Sequence, residues 1–128
     1  QTLGEALLTP TRLYVKPALA AIAAADVKAV SHITGGGFYE NIPRMMRPGC
    51  TAKVERAAVP VLPIFDLIQK TGNIPQRDMF NTFNMGVGMC MAVSKETADA
   101  AVRALNSAGE RAFVLGEVTT GDEGVVIV

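Results

Sequence analysis

The sequence has no tryptophan, a single histidine, two cysteines and no surplus of either charge. Lys plus Arg and Asp plus Glu number 12 each, so the formal net charge is zero. Nucleic acids and anionic membrane surfaces are recognised by clustered positive charge, so neither is expected as a partner. Net charge does not bear on a small anion held in a local pocket. Cys50 and Cys90 stand far apart, without the spacing of a metal site. They are read as free thiols in a reducing compartment, expected to be the cytoplasm, with a single disulfide between them as the alternative. The longest apolar run, Pro17 to Ala25, is mostly alanine. It falls well short of the ~20 residues that a membrane-spanning helix needs. No signal-peptide pattern opens the chain.

What is present fits one domain over residues 1–128. That length can bury a core, and 49% of the residues are hydrophobic. The chain begins without methionine and almost at once with a packed-looking segment, so it is expected to be a piece of a longer protein. Apolar periodicity predicts a helix over 11–25, with Thr9 or Thr11 as N-cap and Leu13, Pro17, Ala20, Ala21 and Ala24 on one face. A strand over 27–34 follows. After the glycines, Phe38, Ile42, Met45 and Met46 mark a short helix ended by Arg47-Pro48-Gly49. Further on, the pattern predicts a strand over 51–55, helices over 63–71 and 75–83, a helix capped by Ser94 and running to Ala108, and strands over 111–118 and 124–128. The stretch NMGVGMCMAV, residues 84–93, reads as a strand with Met85, Val87, Met89, Met91 and Val93 on its core face. Its other face, Gly86, Gly88, Cys90 and Ala92, is nearly bare, so a helix backbone or a ligand is expected to come very near it. Helices interleaved with strands predict an α/β (α+β) fold, a mixed sheet with helices on its faces.

The candidate chemistry centres on Gly35-Gly36-Gly37, between a strand and a helix. Amide groups at such a helix start bind anions when no Cβ blocks the approach. A tight turn with no ligand explains the same glycines equally well. Neither the dinucleotide fingerprint nor a Walker loop is present. His32, the only histidine, lies just before them and is either a proton carrier in the same cleft or a histidine bonded within the sheet. Asn41 and Arg44 share one side of the following helix. Arg44 either pairs with a phosphate or lies solvated. Asn84 either reads a ligand or closes a turn. Arg12 and Tyr14 read as surface and core, and the six methionines as core filler. No acid pair supports glycosidase chemistry, and no Ser-His-Asp set is evident.

The stretches HITGGGFYENIPRMM and FNTFNMGVGM, with LLTPTRLYVKPAL and PIFDLIQKTGNIPQRDMF, resemble the phosphoribosylformylglycinamidine cyclo-ligase (AIR synthetase) family over essentially the whole chain. Asp78 and Asn81 depart from it, standing where many members carry Glu and Arg. The resemblance implies a three-layer α/β arrangement forming most of a C-terminal domain, with the N-terminal ATP-binding domain absent. It implies ATP-dependent ring closure of formylglycinamidine ribonucleotide, with ATP and Mg2+ held mainly by that absent domain. The partners implied are this substrate, the N-terminal domain and, at full length, a second copy in a homodimer. His32 would be catalytic. Thr34, Gly35, Gly36, Gly37, Asn41, Arg44, Asn84 and Gly86 would bind substrate, with the three glycines holding either the substrate phosphate or a phosphate of ATP. Selenophosphate synthetase, thiamin-monophosphate kinase and other enzymes of the superfamily share the plan, but FYENIPR favours the cyclo-ligase. A reading from another class is a nucleotide-binding module without catalysis.

Overall fold

A computed structural model describes residues 1–128. Apolar side chains from distant segments meet in one core, built on Ile33, Phe38, Ile42, Val54, Met79, Phe80, Met85 and Val125. Phe38 and Phe80 pack edge to face with centroids 5.0 Å apart. Burying each such side chain stabilises the fold by about 1.5–3 kcal/mol.

The first helix, α1 (Leu3–Leu7), is not foreseen by the periodicity. Thr2 and Glu5 form a capping box, each side chain accepting from the other's backbone N–H. Helix α2 (Val15–Ala24) starts later than its pattern predicts, and neither Thr9 nor Thr11 caps it. Thr9 Oγ1 instead donates back to the carbonyl of Glu5. Pro17 explains the late start. A proline is tolerated in the first turn, where an N–H has no partner anyway, but not deeper in a helix. Pro17 and Ala21 are buried, whereas Leu13 is 88% exposed and lies outside the helix.

Strand β1 (Val27–His32) pairs antiparallel with β3 (Met89–Val93), with His32 opposite Met89. Strand β2 (Cys50–Val54) is the centre of a second sheet. It runs antiparallel to β4 (Gly116–Thr120) and parallel to β5 (Val125–Ile127). The sheet is mixed, as the interleaved pattern predicts, but the strands divide into two small sheets rather than one. In chain order, α3 (Gly37–Asn41), continued as a 3-10 turn over Ile42–Met45, follows β1, and α4 (Pro63–Gly72) and α5 (Gln76–Thr82) follow β2. Helix α6 (Ala98–Ser107) packs on α2 through small residues, Ala101 among them.

Four further expectations are corrected. Strand β3 begins only at Met89. Met85 and Gly86 have left-handed φ of 52° and 102°, Asn84 Oδ1 accepts from the Gly86 amide at 2.9 Å, and residues 84–88 are therefore a turn. The bare face is filled by side chains, Tyr14 against Gly88 and Leu62 with Pro60 against Gly86, not by a helix backbone. Residues 111–115 are not strand: the Asn106 side chain bonds both the N–H and the C=O of Ala112 and ties this segment to the end of α6. Ser94 does not cap α6 directly, because its hydroxyl bonds Thr97 Oγ1 at 2.7 Å and a 3-10 turn intervenes.

Both cysteines are free thiols. Burial pushes the Cys90 thiol up to about 12, so it stays protonated and poorly nucleophilic at neutral pH. No helix is long and apolar enough to cross a membrane.

Candidate functional site

The end of β1 delivers the chain to the glycines. Ile33 is buried and donates its amide to the Gly88 carbonyl at 2.9 Å, which fixes the exit of the strand. The Gly37 amide then donates to the Thr34 carbonyl at 3.0 Å and closes a tight turn. Gly36 and Gly37 adopt left-handed φ of 100° and 58°, a region costly to any residue with a Cβ. A Cβ on Gly37 would also strike the backbone carbonyls of Phe80 and Phe83, and one on Gly36 would strike the Glu40 side chain. Gly35 differs from both. Its φ is not left-handed, it is exposed, and a Cβ there would meet nothing within 4 Å. The turn thus accounts for two of the glycines, and the third leaves an open approach to the backbone.

Asn41 holds this loop. It is buried at 3% exposure, and its Nδ2 donates to the carbonyls of Thr34 (3.2 Å), Gly35 (3.2 Å) and Gly37 (2.8 Å). Its Oδ1 accepts from Arg44 Nη1 at 3.3 Å, and its carbonyl accepts from Ser31 Oγ at 2.8 Å. The amide is fully used inside the protein, so Asn41 shapes the loop rather than offering a free group to a ligand. Arg44 is exposed at the outer end of this network. The amides of Gly35, Gly36, Phe38 and Tyr39 donate to no acceptor of the chain. The Glu40 carboxylate lies against Gly36, where it would repel an anion.

Thr34, Gly35 and Asn84 line one pocket of about 200 Å³, together with Thr82, Phe65 and Phe83. The two phenylalanine rings tilt together at 5.5 Å and form an apolar wall beside the polar groups. Ligand pockets commonly span ~300–1,000 Å³, so this one holds part of a ligand or is completed from outside the chain. Such a lining suits a flat polar molecule: the rings cover a face while the Gly35 N–H, the Thr34 hydroxyl and the Asn84 amide reach polar edges.

His32 is exposed at the end of β1 and outside this lining. Its ring meets that of Tyr14 edge to face, with centroids 5.7 Å apart. Gly86 packs under Leu62 and Pro60 and also lies outside the pocket. The structure therefore brings together Thr34, Gly35 and Asn84, sets Gly36, Gly37, Asn41 and Arg44 behind them as scaffold, and leaves His32 and Gly86 apart. The sequence reading missed Phe65, Thr82 and Phe83. The adjacency of Phe83 to Asn84 was the available signal. A larger groove of about 510 Å³ lies between Ala57–Pro60 and Arg111–Val114, and none of the candidate residues lines it.

Comparison with known proteins agrees with the resemblance. The family model for AIR synthase related protein, C-terminal domain, matches residues 1–128. A phosphoribosylformylglycinamidine cyclo-ligase of Lachnoclostridium phytofermentans is 53% identical over 128 residues, covering 98% of this chain and 37% of the relative. Those of Acetivibrio thermocellus and Bifidobacterium longum subsp. infantis are 52% and 48% identical, covering 98% and 100% of this chain and 37% of each relative. The chain thus spans little more than a third of the length of these curated relatives. Matched from its first residue to its last, it belongs to the AIR synthase-related family and corresponds to the C-terminal domain of that family.

Proposed function

We propose that this chain is part of a phosphoribosylformylglycinamidine cyclo-ligase, which closes the imidazole ring of aminoimidazole ribonucleotide in purine biosynthesis, and that its pocket holds part of the formylglycinamidine ribonucleotide. The observation that carries the site is Gly35, a glycine that neither backbone geometry nor packing requires. A ligand that comes close to the loop backbone gives it a reason. The Gly35 N–H and the Thr34 hydroxyl would bind an anionic or carbonyl oxygen of the substrate. Asn84 would orient a polar edge, and the Phe65–Phe83 wall would exclude water from one face. Asn41, braced by Arg44, keeps the loop in this shape.

ATP would supply the phosphoryl group that turns the formamide oxygen into a leaving group. The His, Cys, Asp and Glu side chains of this chain form no cluster of three that could hold a metal ion. They do not fit a magnesium site, so ATP and Mg2+ are assigned to the rest of the longer protein. When the amidine nitrogen attacks the activated carbon and phosphate departs, the nitrogen must lose a proton. His32, exposed at the end of β1, is the imidazole available to accept it where the substrate extends beyond the pocket. The full-length protein is then a cytoplasmic enzyme, a homodimer by the same resemblance, and the chain alone is inactive.

The test is a chimera in which this chain replaces the matching segment of the Lachnoclostridium phytofermentans relative. It is expected to convert formylglycinamidine ribonucleotide and ATP to aminoimidazole ribonucleotide, while the 128-residue chain alone does not. A folded chimera that binds ATP yet forms no product contradicts the assignment.

A further inference from the structure

Tyr14 reads from sequence as a surface-and-core residue, yet the fold gives it a specific neighbour. It stands at the start of α2, with its carbonyl accepting from the Ala18 amide at 2.9 Å. Its ring meets the His32 imidazole at a centroid distance of 5.7 Å and an interplanar angle of 69°. Its hydroxyl end lies against Gly88, where any Cβ would collide with it. Gly88 and His32 are on adjoining stretches of the same antiparallel pair, since the Ile33 amide bonds the Gly88 carbonyl. The ring is therefore wedged between the glycine that makes room for it and the histidine that it faces.

The approach to Tyr14 is also fixed. Arg12 Nε pairs with Glu110 Oε2 at 3.0 Å, and Arg12 Nη2 donates to the Gly109 carbonyl at 3.3 Å, tying this segment to the end of α6. Burial, with Glu110 nearby, raises the pKa of the phenol, so Tyr14 is a neutral ring beside the imidazole at neutral pH. An exposed histidine otherwise samples several rotamers. An edge-to-face aromatic contact favours one of them by roughly twofold to tenfold.

We propose that Tyr14 is a positioning residue that sets the orientation of the His32 imidazole for proton transfer. This rests on the proton-carrier reading of His32 given above. The Gly88 position follows from it, because only glycine leaves the space for the tyrosine hydroxyl.

The test compares Tyr14→Phe, Tyr14→Leu, Gly88→Ala and His32→Ala. His32 is the only histidine, so the imidazole signals of the histidine-labelled 128-residue chain need no assignment. Tyr14→Leu and Gly88→Ala are expected to move those signals, and Tyr14→Phe to leave them near their original positions. In the chimera, the first two should lower kcat about tenfold, the order expected for a misplaced proton carrier, with KM little changed. Tyr14→Phe should restore kcat. If Tyr14→Leu does not fold, as its backbone amide spectrum would reveal, Gly88→Ala decides. Unmoved imidazole signals, or a Tyr14→Phe loss equal to that of Tyr14→Leu, overturns the inference. Unchanged kcat in His32→Ala overturns the proton-carrier reading and this inference with it. A loss in His32→Ala with none in Tyr14→Leu overturns the inference alone.

Discussion

Gly37→Ala is expected to destabilise the chain by roughly 3 kcal/mol or more, whereas Gly35→Ala should stay within about 0.5 kcal/mol of the parent. Two separate effects add at Gly37. Its φ of 58° carries a cost of about 1–2 kcal/mol for any residue with a Cβ. The Cβ would also point at the carbonyls of Phe80 and Phe83. Those are backbone atoms, and Phe80 is 1% exposed inside the core, so the obstacle cannot swing aside as a flexible side chain would. At Gly35 neither effect operates. Urea unfolding of the two variants, followed by circular dichroism, separates them. Equal losses would mean that the loop relaxes as one piece and that the glycines are interchangeable.

Asn41→Asp should be nearly as damaging, at about 2–4 kcal/mol near neutral pH. The substitution changes almost no volume. It replaces an NH2 group that serves three carbonyls with a carboxylate oxygen that repels them, at a position 3% exposed. The Arg44 contact on the other oxygen offsets part of the cost, but Arg44 is exposed and its charge is screened by solvent. Burial and the facing carbonyls raise the folded-state pKa of the introduced acid above its unfolded value. A raised folded-state pKa means stability that is present in acid and lost as pH rises, so the deficit should be smallest at low pH and grow toward neutrality. Unfolding midpoints measured across that range test this. A deficit independent of pH would show that the carboxylate escapes to solvent.

Much of the local structure is legible in the residues, and the reasons are local. Pro63 opens α4, Pro17 pins the start of α2, and β-branched residues mark β1, although α4 runs through Gly72 and is closed by the left-handed Asn73. The failures have longer-range causes. NMGVGMCMAV alternates like a strand, but Asn84 bonds the Gly86 amide and turns its first half. Residues 111–115 have strand-like composition, but the Asn106 side chain takes both the N–H and the C=O of Ala112, and the pairing with β2 begins only at Gly116. Helix α1 was signalled by Thr2 and Glu5 at capping-box spacing, yet lacks the apolar periodicity that draws attention to a helix. At the site, the glycine motif and Asn84 are conspicuous in the sequence, and the fold places Thr34, Gly35 and Asn84 around one pocket. No sequence pattern could divide the three glycines into two that serve the turn and one that faces open space. Nor could it say that Asn41 points inward while Asn84 lines the pocket, because both outcomes depend on where α5 and the 84–88 turn pack.

Gly35 is open for a ligand rather than for the fold. Gly35→Val in the chimera, read by substrate KM and melting temperature together, tests this. The KM for formylglycinamidine ribonucleotide is expected to rise about tenfold, equivalent to ~1.4 kcal/mol of lost binding, at an unchanged melting temperature. An unchanged KM would contradict it and return all three glycines to the turn.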